Sequence, residues 1–517
     1  MPSYISNKVP FNTAEQFKES FSEFTPTIGY LFIGNHVPNE NDDVVADITE
    51  SVATDKQVWD NMYAAKKVTG FDVELVVPKI TWTANSKYRQ YDDLKDPDDL
   101  VSANTAQNLK PFYVINTERN VYLCLCNNVS SNSTVEPSGK NLSSNGNIQT
   151  SDGYLWKYLY NVRASNKFFT PDWIPAPVST SKLDFDTSPL ISVDGELAKI
   201  AMVNNGTGYV HSNITVSSFT TGTNRLTVAN TTNLSANMSL TGVGIAGGTY
   251  IESIDALNLR LRISANTTAN GGGTAAANAV SVQTRIVIEG DGEGAIAEPR
   301  LLGNTIEKIT LTTYGTNFTS ANIVIYGTGT GASARAILSP KFGHGYNAAK
   351  QLGASNVMVA TRIGEIDSTE GGLISTDTTF RQYGLMRDPH KYGANTVVAS
   401  TNANTVISQT TDLTIISGSN YVLNEFVYQG TTANTATFSG FVNAQDANLV
   451  RLTRVEGEPV VGGPLKGTSS NPTGRAVVVV KNPEFEPYTG DILYVENVPR
   501  TERTDGQAEN IKFVVRF

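Results

Sequence analysis

The sequence predicts a mainly β protein: a layered β-sandwich core with a few peripheral short helices, plus inserted small β-domains. Three observations carry this. Charged residues make up only 17% of the chain while glycine appears 43 times, a composition suited to strands joined by many turns. Short apolar runs alternate in period two along much of the length. The most regular of them, Ile511–Phe517, puts Ile511, Phe513, Val515 and Phe517 on one face and Lys512, Val514 and Arg516 on the other.

At the N-terminus, Thr13-Ala-Glu-Gln16 reads as a capping box that opens a helix over 13–24, with Phe17, Phe21 and Phe24 at helical spacing. Ile28–Gly34 reads as a strand and Asn35–Asp43 as a polar turn. Thr54–Gln57 reads as a second capping box, opening a helix to about Val68. Val73–Val77 and Ile80–Trp82 flank Pro78 as a bent or edge strand. Phe112–Ile115 and Val121–Cys126 read as a hairpin. Asn127–Gln149 has no hydrophobic period and is expected to be a mobile loop. After the Asp152-Gly153 turn signal comes an aromatic strand in which Trp156, Tyr158 and Tyr160 share one face. Such a face serves as core or protein interface more often than as a sugar or base platform.

From about residue 197 an internal repeat is visible. Ala198–Tyr209 with Ile214–Val216 matches Glu307–Phe318 with Ile323–Ile325, and Gly327–Ala334 finds its counterpart at Gly290–Ala297. The first copy is therefore split, and the expected nested insert is 219–283, with alternating Leu257, Leu259, Leu261 and Ile263. Lys341–Ile363 breaks the glycine pattern with a short helix near Ala348–Leu352 and a strand at Asn356–Arg362, and Thr379–Arg387 reads as another strand. A self-contained β-module follows. The expected division is 1–196 and 341–392 as core, 197–340 as the duplicated module, 393–482 as an inserted module, and 483–517 as closing strands. The closing segment reads as two strands around a charged connector, Glu496–Glu509. Its Arg500, Glu502, Arg503 and Asp505 are candidate contacts to a neighbouring subunit, together with the aromatic face of Trp156, Tyr158 and Tyr160.

The chemistry read from the residues is sparse. A formal net charge of −10 and the lack of a Lys/Arg-rich run argue against a nucleic-acid partner. No run approaches the ~18 apolar residues of a membrane span, and no secretion signal is read at the N-terminus. The expectation is synthesis in a reducing cytoplasm. The two cysteines, Cys124 and Cys126, read as reduced buried residues, because the four histidines show no ligand spacing toward them. Tyr91–Leu100 holds five aspartates without the ligand order of a calcium loop and reads as a solvated acidic loop. The glycine runs at Gly290–Gly294 and Gly327–Gly331 lack the strand–loop–helix setting of a phosphate loop and read as hairpin turns. No nucleophile elbow, zinc-protease helix or Cys–His signature is present. No catalytic, cofactor-binding or metal-binding residue is assigned. Glycoside hydrolysis needs only two carboxylates at the right separation, which a sequence does not fix.

Four segments nevertheless resemble a known family. They are Tyr30-Leu-Phe-Ile-Gly34 with its turn to Asn41-Asp42-Asp43; Val76-Val-Pro-Lys-Ile-Thr-Trp82 preceded by Trp59–Met62; Asp152-Gly-Tyr-Leu-Trp-Lys-Tyr-Leu-Tyr160; and Gly490-Asp-Ile-Leu-Tyr-Val-Glu-Asn-Val-Pro499 with the closing Asn510–Phe517 strand. In order and spacing they resemble the baseplate wedge protein of T-even-type contractile-tailed phages, the gene product eight family. The resemblance covers roughly 1–190, 341–392 and 483–517. It implies a structural, non-enzymatic virion protein without cofactor, a homodimer that contacts other baseplate wedge proteins. The two β-modules depart from that pattern and resemble insertions that decorate phage structural proteins. A carbohydrate-binding adhesin or host-recognition module of a phage tail is the alternative expectation.

Overall fold

Strand pairing between distant parts of the chain builds the first of two compact units, Met1–Val77 with Lys167–Ala176 and Ala354–Phe517. Its sandwich has nine strands: β1 (Gly29–Gly34), β2 (Met62–Val68), β3 (Val73–Pro78), β4 (Trp173–Pro175), β5 (Asn356–Ile363), β6 (Thr378–Arg387), β7 (Val406–Ser408), β8 (Asp491–Arg503) and β9 (Glu509–Arg516). One sheet runs β7-β2-β1-β6-β8 and the other β4-β3-β5-β9. Phe513 of β9 bridges them, with its ring stacked 4.5 Å from Tyr494 of β8 and 5.9 Å from Tyr383 of β6. The computed structural model describes residues 8–22, 28–39, 41–42, 44–141, 145–178, 185–186, 192–273, 279–364, 366–367, 372–374, 376–398, 406–416, 420–504 and 506–517.

The alternation read in Ile511–Phe517 holds for Ile511 and Phe513, which are buried, and for Lys512 and Arg516, which are exposed; Val514 and Val515 are both half-buried, because Val514 packs against the core cluster of Val76 and Met358 on the other face. Phe517 packs 5.1 Å from Phe17 of the first helix. The charged connector is a correction. Glu496–Arg503 belongs to β8, and only 504–508 separate β8 from β9. Nor do the two strands pair with each other. β8 lies beside β6 and β9 beside β5, so the turn carries the chain from one sheet to the other.

Both helices start earlier than their apparent caps. The first, α1, spans Lys8–Ser20. Thr13 is interior to it, and its hydroxyl donates to the Val9 carbonyl one turn back (2.9 Å) instead of capping. Pro10 is tolerated because the first-turn N–H groups have no intrahelical partner. Phe24 lies outside the described residues. The second helix, α2, spans Val52–Asn61 and is capped by Ser51, whose Oγ accepts from Thr54 N (3.1 Å). It stops at Asn61, where the sequence predicts continuation to Val68. Met62–Val68 instead forms β2, held between β1 and β7, so tertiary pairing overrides a helix-compatible composition.

The inserted module of this unit is a closed six-stranded barrel made from Thr411–Ile415, Phe426–Gln429, Phe438–Asp446, Leu449–Gly457, Pro464–Gly467 and Arg475–Lys481. Leu413, Val427, Phe438, Val450, Leu452 and Leu465 fill it. Closure leaves the barrel no free sheet edge.

The second unit is Pro78–Asn166 with Pro177–Gly353. The expected division placed all of 1–196 in the core; here 78–166 groups instead with the duplicated module. The aromatic strand Leu155–Val162 pairs with Asn120–Cys126, which pairs with Tyr113–Ile115. The described part of the segment expected to be a mobile loop is pinned by this sheet. Tyr154 and Tyr122 hydroxyls donate to the carbonyls of Ser131 (2.6 Å) and Gly139 (2.7 Å), and Asp152 Oδ2 accepts from Thr134 N (2.7 Å) and Val135 N (3.0 Å).

In the duplicated module the copies exchange strands. The first strand of copy one, Leu197–Thr207, pairs with the last of copy two, Thr330–Leu338. Reciprocally, Thr305–Thr316 pairs with Glu293–Leu302, and the middle strands Arg285–Gly290 and Ala321–Tyr326 pair with each other. The glycine runs follow from this exchange. Tyr209 of copy one lies on Gly327 and Gly329 of copy two, and Phe318 of copy two lies on Gly290 and Gly292 of copy one. A Cβ at Gly329 would come 2.3 Å from Tyr209, and one at Gly292 2.4 Å from Phe318. The glycines thus make room for a ring.

This pairing corrects the insert boundary. The counterpart of Ala321–Tyr326 is Arg285–Gly290, not Ile214–Val216. Ile214 and Val216 belong to the nested module's own core, with Leu226, Leu240, Leu261 and Val282. Leu261 and Ile263 are buried as the alternation predicts, but Leu257 and Leu259 sit in the preceding turn and are exposed. The module's ends are adjacent, since Ser212 pairs with Val282.

Two outcomes are expected. Excising Ser212–Gln283 leaves a folded chain whose melting temperature stays within a few degrees, because chain ends that already pair are easily rejoined. Excising only Phe219–Gln283 strands Ile214 and Val216 in water and lowers soluble yield, which expression of both deletions in parallel checks. Truncating Ile511–Phe517 removes β9 and its bridge at Phe513. Denaturant unfolding of the truncated chain should then lack the transition of the first unit, and an unchanged unfolding curve would contradict this.

Candidate functional site

The sequence-predicted site residues fall in both units: Trp156, Tyr158 and Tyr160 in the second, and Arg500, Glu502 and Arg503 in the first. Trp156 is fully buried, stacked 5.4 Å from Tyr154 and edge-on to Tyr88 at 5.5 Å. Tyr158 meets Tyr122 at 5.9 Å, and Tyr160 is also buried. In the single chain this aromatic face is core, because neighbouring tyrosines and the 127–141 segment cover it; it is not an exposed contact surface. Arg503 is likewise buried, with Nε 3.0 Å from Glu509 Oε2, so it joins β8 to β9 instead of reaching outward. Arg500 and Glu502 are exposed and pair with each other at 2.6 Å, and Asp505 lies outside the described residues.

Other acidic and thiol candidates have local partners. Asp92 and Asp93, in the acidic loop, both bind Arg335. Asp291 accepts from Thr319 N (2.9 Å) and Ser320 N (3.0 Å), which ties down its glycine turn. Cys124 and Cys126 are free thiols, and burial pushes Cys124 well up. Among the described residues, no group of three or more His, Cys, Asp and Glu is placed to hold a metal. No described helix is long and apolar enough to cross a membrane.

The first unit holds a cleft of about 750 Å³ that the sequence did not reveal. Its walls come from elements far apart in the chain: Asn35 after β1, Asp60 and Asn61 ending α2, Gln382 of β6, Asn497 of β8, and Phe426, Phe441, Arg454 and Glu456 of the barrel, with Tyr488 at the approach to β8. Arg454 organises the floor. Its Nε donates to Asn61 Oδ1 (2.5 Å) and its Nη2 to Asn35 Oδ1 (3.1 Å), with the Phe441 ring 5.6 Å away. Burial pulls Arg454 below its usual value, opposed by Asp60. Gln382 Nε2 donates to Asn497 Oδ1 (2.8 Å), which fixes a second amide pair. Tyr488 is 56% exposed, and its hydroxyl donates to Asp60 Oδ1. Burial, and then that carboxylate, push the phenol up to about 12. Asn35, Arg454 and Tyr488 all adopt left-handed backbone, at φ 59°, 47° and 61°. Such conformations cost on the order of 1–3 kcal/mol each in non-glycine residues and cluster at functional sites. Of these residues the sequence reads Asn35 only as the start of a polar turn, Asn35–Asp43, with nothing to mark a cavity.

Beside the cleft, His36 is buried. Its Nδ1–H donates to Asn424 Oδ1 (2.7 Å), and its Nε2 accepts from the Thr453 hydroxyl. Arg381, also buried, clamps Asp42 with two nitrogens and donates to the His36 carbonyl (2.9 Å). Burial lowers His36 to about 4, opposed by the Asn424 hydrogen bond and reinforced by Arg454 and Arg381. A folded-state value below the unfolded one means that its contribution to stability is present above pH ~6.5 and is lost as pH falls toward about 4.

No protein-family model matches the chain, and no curated protein sequence matches it.

Replacing His36 by Gln, which has no titration in this range, should flatten the stability profile between pH 6.5 and 4. The unsubstituted chain should lose on the order of 3 kcal/mol more than the variant over that interval. Urea unfolding at half-unit pH steps checks this, and parallel profiles would contradict it.

Proposed function

We propose that this chain is a structural subunit of a contractile phage tail baseplate, a wedge protein that acts as a dimeric scaffold through protein–protein interfaces. One observation carries the reading. Three of the four segments that resemble the wedge family contribute to one sandwich, β1 from the first, β3 from the second, and β8 and β9 from the fourth, although the fourth lies hundreds of residues from the other two. The third segment supplies the central aromatic strand of the second unit. A resemblance spread over separate stretches has physical content when those stretches pack together.

An apolar surface on the barrel adds support. Val460, Val461, Val478 and Val479 are all exposed, and Gly462 N donates to the Val477 carbonyl (2.7 Å), which sets the two valine pairs side by side. Exposed apolar patches mark protein interaction sites. The reading takes the inserted modules as sources of contacts that compact relatives lack.

Sedimentation velocity of the purified chain should give a dimer, and the chain should be a component of purified tails. A chain that is strictly monomeric and missing from tails would overturn the reading.

A further inference from the structure

We infer that the cleft between the barrel and the sandwich of the first unit is a binding site for a neutral oligosaccharide. This goes beyond a scaffolding role and does not depend on it. The volume, about 750 Å³, is within the range of small-ligand sites. What selects the ligand class is the pattern of polar groups. Asn35 and Asn61 present their oxygens to Arg454, and among the described residues neither Nδ2 has a hydrogen-bond partner. These amide donors face a lining that also carries the carboxylates of Asp47, Asp60 and Glu456 as acceptors. A polyhydroxylated ligand, whose every hydroxyl both donates and accepts, answers interleaved donors and acceptors of this kind.

Other ligand classes fit less well. Three carboxylates against one arginine repel phosphates and acidic sugars. An extended peptide or amphipathic helix would need a sheet edge or apolar side-chain pockets. Here the barrel is closed, the side chain of Asn497 on the edge strand β8 already donates to the Ala46 carbonyl (2.9 Å), and the lining is dominated by amides, hydroxyls and carboxylates. Tyr488 completes the site. Its exposed ring is anchored through the hydroxyl to Asp60, so it offers a fixed apolar face at the cleft wall for the C–H side of a pyranose. A side chain already held in place loses little freedom on binding, which favours its use as a platform.

The test uses the full-length chain on an array of neutral bacterial-surface and storage glycans, followed by saturation-transfer NMR and titration calorimetry with the strongest neutral hit. Tyr488→Ala and Glu456→Ala both alter exposed side chains. Each should weaken binding about tenfold with an unchanged melting temperature, while Arg500→Ala, outside the cleft, should leave binding unchanged. Three results would overturn the inference: no neutral glycan bound, binding that survives both cleft substitutions, or hydrogen-exchange protection of the cleft that arises only when copies of the chain associate. The last would make the cleft a protein interface.

Discussion

The antiparallel pairing of β8 with β6 and of β9 with β5 is the constraint on which the first unit depends. Each sheet of the sandwich is completed on one side by a strand from the end of the described chain, and each partner lies more than a hundred residues upstream. The barrel fills much of that interval and is fully hydrogen-bonded through its own closure, so it can be carried between β6 and β8 without using any ladder position of the sandwich. The cost is kinetic. Pairings of such high sequence separation form only after large loop-closure entropy has been met. Tolerance of the inserted barrel and slow completion of the core are thus two results of one topology.

Buried charge in this protein serves to join strands. Lys157 and Glu196 form an ion pair with almost no exposure, tying the central aromatic strand to the residue that precedes Leu197–Thr207. Burial pulls the Lys157 ammonium down and pushes the Glu196 carboxyl up, each opposed by the other. Arg503 with Glu509 does the same work in the first unit, and Arg381 with Asp42 ties the turn after β1 to β6. Pairs of this kind add little net stability over apolar replacements, yet losing one partner leaves a charge stranded. They therefore act chiefly to specify which strands meet. This also explains why the charged residues of Glu496–Glu509 misled the sequence reading: Arg503 is itself buried against an ion-pair partner six residues on, and charge alone does not distinguish such a residue from one in a solvated loop.

Much of the fold was legible in the sequence, because period-two alternation and an internal repeat report directly on strand faces and duplicated modules. The Val121–Cys126 and Ile511–Phe517 strands could be read this way, and the barrel as a self-contained β-module. The errors fall where local pattern is ambiguous. Thr13 and Thr54 both resemble caps, but a hydroxyl can equally back-bond inside a helix or follow a better cap such as Ser51. Met62–Val68 carries no local signal against helix; only its two neighbours make it a strand. Ile214–Val216 fits the repeat by residue type, and only pairing shows that Arg285–Gly290 fits it better. The cleft was invisible for a stronger reason. Its lining comes from many separated stretches whose convergence is a property of the tertiary structure, and Asn, Asp and Gln look the same in a sequence whether or not they face a cavity.

The exchange of strands between the two copies of the duplicated module has a consequence for its history. Each copy's outer strands find their hydrogen-bond partners in the other, and each copy's aromatic ring rests on the other's glycines. Neither copy is a portable part. Once such an intertwined pair is established, losing either half by recombination would expose two sheet edges and an unseated ring at once, so the pair is inherited whole. The long module nested in the first copy enters where chain ends already touch, at a connection where length can change without unthreading the other half. Variation among descendants of this protein should therefore accumulate in that nested module, while the paired halves around it change together or not at all.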